Sequence, residues 1–377
     1  MTRIGFAYNQ KPDPMAPANA PDAAESAPAD EEPPSTGGAL ATLAPVHRAL
    51  DADDEFVEWD DRETIDAVAR ALSRHGDVIR LEATDDFPQR LRAERPDLVF
   101  NIAEGLRGPN REAHVPAICE FYGVPYSGSD PLTLALSLDK ARTKEILRAY
   151  QIPTADWFVV RSAEQLARLD LRSVRLPLFA KPVHEGSSKG ITERNVATSA
   201  DALVSIVSEL LERYQQPVIV ESYLPGAEFT CGVLGNGAGT RVLPLVGLNF
   251  AALPAGALPI YGFEAKWRWD RPENPLQIFE CPAHVPDALR DEITDVVTRA
   301  FHALGCRDWA RIDVRLDAAG RATVVEVNPL PGILPDPSDN SCLPKAARAA
   351  GLDYDALIGA CLQAAADRQG VVLGRGR

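Results

Sequence analysis

Short apolar runs alternating with amphipathic helical stretches place the chain in the α/β class, with a parallel sheet at its start. Three observations carry this reading. Strand-like and helix-like stretches follow one another regularly to about residue 130. A second α/β unit opens at Asp156, and the strand pair "ARIDVRLDAAGRATVVEVN" ends the unit after it.

Residues 3–8, "RIGFAY", read as a first strand. From Lys11 to about Pro45, Pro, Ala, Asp and Glu dominate, which predicts a mobile insertion (residues 11–45) because little apolar surface can offset its ordering entropy. Periodicity then resumes. "DRETIDAVARALSRHG" carries Ile65, Val68, Ala69 and Leu72 at helical spacing and stops at Gly76. "DVIRL" and "DLVFNI" are buried strands, "REAHVPAICEFYG" is a helix ending on glycine, and "PLTLALSLDKARTKEILRAY" reads as one long helix.

In the second unit, "DWFVV", "LPLFAKPV" and "PVIVESYL" are strands. "SADALVSIVSELLERY" is a helix with Leu203, Ile206, Val207, Leu210 and Leu211 on one stripe. The pair "ARIDVRL" and "ATVVEVN" reads as a hairpin turning between Asp317 and Gly320, and "DYDALIGACLQAAADR" is a final helix. These breaks divide the chain into residues 1–130, 131–235 and 236–377.

Length and composition suit a water-soluble protein of two or three lobes, with 377 residues and 45% apolar content. A formal net charge of −15 argues against a nucleic-acid or anionic-membrane partner. Cys119, Cys231, Cys281, Cys306, Cys342 and Cys361 are scattered without a C-x-x-C pair and read as reduced thiols. With no signal-peptide core in "MTRIGFAYNQ" and no long apolar run, the expectation is a cytoplasmic protein.

The stretch "KPVHEGSSKGI" contains G-x-S-x-G, the pattern of a serine-hydrolase nucleophile elbow at Ser188. An elbow needs a helix immediately after the serine, whereas "ITERNVAT" favours extended chain. Neither His284 nor His302 stands in a triad context. The pattern G-x-x-x-x-G-K-[ST] is absent as well. What remains is a glycine-flanked turn with backbone N–H groups, two hydroxyls and the cation of Lys181, which suits a polyphosphate and also an ordinary hairpin turn.

Strand alternation points Arg311 and Asp313 one way, and Glu326 and Asn328 share a face of the returning strand. A register that sets Asp313 opposite an even-numbered residue gathers all four on one surface. Two carboxylates and an amide oxygen suit Mg²⁺, and Arg311 beside them could neutralise a transferring phosphoryl group. The competing reading is a solvated, salt-bridged face.

Taken together, "NIAEGLRGPNREAHVPA", "YSGSDPLTLALSLDKARTK", "FAKPVHEGSSKG", "VIVESYLPGAEFTCGVLG", "YGFEAKW", "RIDVRL" and "VVEVNPLPG" resemble the ATP-grasp superfamily in its D-alanine–D-alanine ligase-like branch. The resemblance runs from about Asp97 to Leu357. It implies an ATP-grasp fold behind a Rossmann-like N-terminal domain. The activity it implies is an ATP-dependent carboxylate–amine ligase working through an acyl-phosphate. By the same resemblance, Lys140 and Lys181 contact the ATP phosphates, and Glu185–Gly190, with Ser187 and Ser188, closes over them. Glu221, Tyr223 and Leu224 take the adenine, Glu228 the ribose, and Lys266 the γ-phosphate. Asp313, Glu326 and Asn328 match the ligands of two Mg²⁺ ions (Mn²⁺ being an alternative), and Arg311 steadies the acyl-phosphate together with Lys266 and Ser187. Glu104, Arg111, Trp267, Gly332, Ser341 and Leu343 fall on the substrate side. Expected partners are small amino acids or peptides, with a homodimer left open.

The substrate side departs from that pattern. The Gly-Gly-x-Ser-x-Glu loop, whose glutamate grips the first substrate's amino group, is replaced by "NQKPDPMAPANAPDAAE". His-Gly becomes Glu104-Gly105, and the tyrosine after the loop lysine becomes Trp267. These changes leave open a ligase for another amino acid, peptide or metabolite. Outside that class stand a serine hydrolase at Ser188 and a non-catalytic nucleotide-binding protein.

Overall fold

In the computed structural model, residues 1–12, 56–105, 107–254, 257–262, 265, 269 and 276–374 are described. The expected insertion lies outside the described residues from Asp13 onward, as do Lys266 and Trp267.

The opening apolar run becomes β1 (Arg3–Tyr8). It is followed by α1 (Arg62–Leu72), β2 (Asp77–Glu82), α2 (Phe87–Glu94), β3 (Leu98–Asn101) and α3 (His114–Tyr122). Asp61 starts α1 by accepting from the Thr64 N–H at 2.7 Å, satisfying a donor that the helix itself cannot. The strands form a parallel sheet in the order β2-β1-β3, with Ile4 opposite Val78 and Leu98. Ile4 and Phe6 are fully buried, as expected of a central strand covered on both faces.

Next come α4 (Pro131–Leu138) and α5 (Lys140–Ala149), where a single helix was predicted. The break is at Asp139. Its backbone is extended at ψ 98°, and its carboxylate caps α5 by accepting from the N–H groups of Ala141 and Arg142. An aspartate that can bond its own backbone competes with helix continuation, and the hydrophobic period carries no sign of it. The result places Lys140 in the first turn of a new helix.

The second sheet contains β4 (Trp157–Val160), β5 (Leu178–Pro182), β6 (Val196–Ala197) and β7 (Val218–Ser222), with α6 (Ala163–Ala167) and α7 (Ala200–Tyr214) between them. Its order is β4-β7-β5-β6, and every pair is antiparallel. Along the predicted stripe of α7, Leu203, Val207 and Leu210 are buried against this sheet, each worth about 1.5–3 kcal/mol.

The third sheet is built from β8 (Glu228–Leu234), β9 (Arg241–Val242), β10 (Val246–Leu248), β11 (Phe279–Glu280), β12 (Trp309–Leu316) and β13 (Ala322–Asn328). Its order is β11-β10-β8-β12-β13, with β9 on β8. The boundary between the second and third sheets therefore falls between Ser222 and Glu228, ahead of the expected limit at 235. Strand β8 belongs with the third sheet because it pairs β12 from Trp309↔Leu234 to Arg315↔Glu228.

Helix α8 (Asp287–Ala303) lays Ile293, Val297 and Phe301 on that sheet. The chain closes with α9 (Cys342–Ala349) and α10 (Tyr354–Gln369). Leu357, Ile358 and Leu362 of α10 share one core with Ile65, Val68 and Leu72 of α1, tying the two ends together. None of the six cysteines is paired. Among the described residues no helix is long and apolar enough to cross a membrane.

Candidate active site

A cleft of about 280 Å³ lies between the second and third sheets. The second and third sheets form its walls, and the loops around Glu58 and Glu104 close one end. A concave site of this size, with a few convergent polar groups, suits a small-molecule ligand.

The hairpin of β12 and β13 sets the charges of one wall. Asp313 lies opposite Glu326 and Arg311 opposite Asn328, with a bulge just beyond Asp313. Arg311 donates to Asp313 Oδ2 at 3.0 Å, and its buried Nε has no partner among the described residues. Thr230 of β8 donates to Asp313 Oδ1 at 3.0 Å, and Asn328 Nδ2 reaches Asp313 Oδ2 at 3.5 Å. Glu326 pairs with Lys140 at 2.9 Å. Burial opposes the charge on Glu326, but Lys140, Lys181 and Arg311 overcome it and lower its pKa to about 2.

Across the cleft, Lys181 of β5 and Lys144 of α5 each stand 3.4 Å from Glu221 Oε1, an ion-pair distance without an aligned hydrogen bond. All three are buried. Burial lowers Lys144 to about 8. For Lys181, burial acts against the charge, yet Glu221 and Glu326 raise its pKa. Glu221 is in turn held below the usual carboxylate range, its two lysines outweighing burial. Removing one member of such a cluster strands the others, so the whole set is kept or lost together.

At the hinge after β7, Tyr223 and Leu224 line the cleft. Arg315 pairs with Glu228 at 3.0 Å and donates to the Tyr223 hydroxyl at 3.3 Å. Glu228 is pushed up to about 7 by burial, Arg315 offsetting only part of it.

The segment "HEGSSKGI" connects β5 to β6, a strand–loop–strand arrangement with no helix at the serine. Asn195 donates to the carbonyls of Ala180 and Gly190, both at 2.6 Å, and so pins the loop's exit. Gly190 has φ +69°, and a Cβ there would stand 2.8 Å from Pro182 and Tyr214, so glycine is required. Ser187 and Ser188 also have positive φ, 49° and 61°. Ser188 Oγ donates to the Tyr261 carbonyl at 3.3 Å, and among the described residues no histidine lines the cleft. A hydrolase elbow therefore has neither its helix nor its base.

At the N-terminal end, Glu58, Asp60, Glu104 and Glu112 line the cleft together. Burial raises Asp60 and Glu112 to about 7 and Glu104 well above its usual value, the last aided by Glu112 and Glu58. Glu58 is instead lowered: burial opposes its charge, but Arg111 and Lys189 prevail.

Of the residues singled out from sequence, Lys140, Lys181, Glu185, Ser187, Ser188, Glu221, Tyr223, Leu224, Glu228, Arg311, Asp313, Glu326, Asn328, Glu104, Gly332 and Ser341 line this one cleft. Ser341 Oγ donates to the Gly332 carbonyl at 3.3 Å and accepts from the Leu334 N–H at 3.1 Å, closing the loop after β13. Arg111 stands behind the cleft wall, joined to Glu58 at 2.8 Å. Leu343 is in the core, with its side chain 1% exposed and packed against Gly232. Lys144, Glu112 and Glu58 were not singled out. Lys144 could have been found from its helical spacing to Lys140, but nothing local marks Glu58.

A family profile described as the D-ala D-ala ligase C-terminus matches residues 146–363. A D-alanine–D-alanine ligase of Pseudomonas putida is 35% identical over 78% of this chain and 85% of its own length. An uncharacterised protein of Sinorhizobium fredii is 33% identical over 81% of this chain and 88% of its own. The crystal structure of a Bacillus anthracis D-alanine–D-alanine ligase complexed with ATP superposes with a TM-score of 0.67 at 21% identity, covering 98% of this chain and 99% of that one. The chain belongs to the D-alanine–D-alanine ligase family and is an ATP-dependent ligase of that type, built on the ATP-grasp fold.

Proposed function

We propose that the chain joins the carboxylate of one small amino acid or peptide to the amine of another, with D-alanyl-D-alanine as the nearest named product. The observation that carries this reading is the convergence of Lys140, Lys181, Arg311, Asp313, Glu326 and Asn328 on one cleft. Three parts are assigned: residues 1–130 on the substrate side, then the two lobes that enclose ATP. The sheet boundary between Ser222 and Glu228 makes "ESYLPG" the hinge.

The donor set fits a divalent cation. Asp313, Glu326 and the Asn328 amide offer hard oxygens on adjoining strands, and Glu326 is held ionised. Among the described residues no group of three or more His, Cys, Asp or Glu side chains is placed to hold a metal ion by itself. Asp313, Glu326 and Asn328 would hold magnesium there, and it would supply positive charge that offsets the charge of the phosphates.

In the first step, a substrate carboxylate oxygen attacks the γ-phosphorus of ATP. The bond to the ADP oxygen breaks, giving an acyl-phosphate and ADP. Lys140 and Lys181 hold the phosphates, Glu221 with Tyr223 and Leu224 the adenine, and Glu228 the ribose. In the second step, the free amine attacks the acyl carbon, phosphate leaves with the bonding pair, and the nitrogen loses a proton. Arg311, with Lys266 and Ser187, faces the charge that develops. The loop Glu185–Gly190 keeps water from the acyl-phosphate. No protein nucleophile is required, which leaves Ser188 a phosphate-facing hydroxyl.

On the acceptor side, Glu104 and Glu112 have no ion-pair or hydrogen-bond partner among the described residues. They are assigned to the substrate's ammonium group, with Trp267, Gly332 and Ser341 around it. The test is phosphate release from ATP over a panel of D- and L-amino acids, singly and in pairs, with the coupled product weighed by mass spectrometry. A product containing no new amide bond would overturn the assignment. Labelling of Ser188 by a fluorophosphonate without any ATP requirement would do the same.

A further inference from the structure

We infer that Glu58 is a positioning residue that holds the loop Glu185–Gly190 closed over the cleft, acting through Lys189 and Arg111. Its catalytic consequence rests on the ligase reading above, whereas the latch itself does not.

Glu58 Oε2 lies 2.9 Å from Lys189 Nζ and 2.8 Å from Arg111 Nη2, and the three side chains are only 7%, 6% and 11% exposed. Lys189 is part of the loop, and Arg111 reaches it a second way by donating to the His184 carbonyl at 3.1 Å. Within the loop, Lys189 also pairs with Glu185 at 3.3 Å. One carboxylate thus joins the N-terminal unit to the loop's entrance and to its far arm. Charge-assisted contacts of this kind are stronger than neutral ones, and burial spares them much of the screening that weakens surface pairs.

Two further features show why the loop needs an external hold. Ser187 and Ser188 occupy left-handed backbone, a conformation that persists in non-glycine residues only when their surroundings enforce it. Gly186 lies so close that a Cβ would come within 2.4 Å of Glu58 Oε1. The carboxylate is pinned by two cations, so it could not step aside without breaking a pair. Because Arg111 and Lys189 already balance Glu58, it is the carboxylate at this end least available to a substrate ammonium.

Hydrogen–deuterium exchange on the ligand-free, full-length protein tests the latch. Glu58→Gln keeps the shape and removes the charge, and is expected to speed exchange of the amides of residues 184–191 about tenfold or more. Lys189→Met cuts the same link from the other side and should do likewise. The exchanged pair Glu58→Lys with Lys189→Glu should bring the rate part of the way back, Arg111 opposing full recovery. Unchanged exchange at 184–191 in both single variants would overturn the latch, as would acceleration spread over the whole chain. With ATP and D-alanine, Glu58→Gln should raise the KM for ATP and the phosphate released per amide formed, with a smaller effect on kcat. If D-alanine proves inert, the substrate assignment fails while the exchange result still decides the latch.

Discussion

The walls of the cleft, built by the second and third sheets, and its N-terminal end treat charge differently. On the walls, cations and carboxylates stand in pairs: Lys144 and Lys181 with Glu221, Lys140 with Glu326, Arg311 with Asp313, and Arg315 with Glu228, although burial still raises Glu228 to about 7. At the other end Glu58 is balanced, while Glu104 and Glu112 stand without such partners and are pushed up by burial. The walls are organised before any ligand arrives, so on the proposed reading phosphates and metal would exchange one set of ion pairs for another. The N-terminal end holds carboxyls whose charge is disfavoured by burial and which an incoming ammonium would help to ionise. Preorganised electrostatics suit the step shared by all such ligases, and the N-terminal end is where substrate choice can differ.

The largest expected effect breaks the paired walls. Glu326→Ala removes an oxygen donor of the proposed metal site and the counter-charge of Lys140, and should lower ATP-dependent phosphate release by about 10²–10³-fold. Circular dichroism should show the fold retained. Undiminished turnover would sink the metal assignment.

Lys181→Met comes next, with a loss of about tenfold or more in kcat/KM for ATP. It also leaves Glu221 buried beside Lys144 alone, so the urea midpoint should fall as well. If activity falls while the midpoint holds, Lys181 serves the phosphates without supporting Glu221.

The N-terminal end answers through pH. Asp60 and Glu112 have folded pKa values of about 7, as Glu228 does on the wall, against ordinary values of 3.8 for Asp and 4.5 for Glu, so the native state binds more protons than the unfolded chain between those limits. Stability should therefore fall as pH rises from about 4.5 to 7 and level off above. Glu326, lowered to about 2, acts in the opposite sense, adding stability as pH rises from 2 to 4.5. In Glu104→Gln/Glu112→Gln the decline should flatten, with Tm raised by about 2–4 °C at pH 8. The same variant should raise the KM for an amine substrate. A pH profile identical to wild type would show that the excess charge is neutralised by groups outside this pair.

The smallest effect is expected at Ser188. Ser188→Ala removes one hydrogen bond, to the Tyr261 carbonyl, and should change kcat by less than about tenfold. A dead variant with unaltered ATP binding would restore the nucleophile reading.

The two regions also differ in how far they could be read in advance. Asp313, Glu326 and their neighbours sit on a single hairpin, where the alternation of strand residues fixes which side chains share a face. The loop between β5 and β6 was legible because its glycines, serines and flanking lysine are contiguous. The break at Asp139 was hidden, since a capping aspartate within a helical period differs from a helical one only in the backbone it meets. Leu343 was placed on the substrate side by its motif, but packing takes it into the core.

Sequence by itself therefore determined the α/β class and which charged side chains of the hairpin share a face, both of which follow from local period and spacing. Tertiary structure alone decided that β8 joins the third sheet and that Glu58 meets Arg111 and Lys189. The physical reason is range. Backbone period acts between near neighbours, whereas an ion pair linking residues 58, 111 and 189 exists only once three separate segments have packed around one cleft.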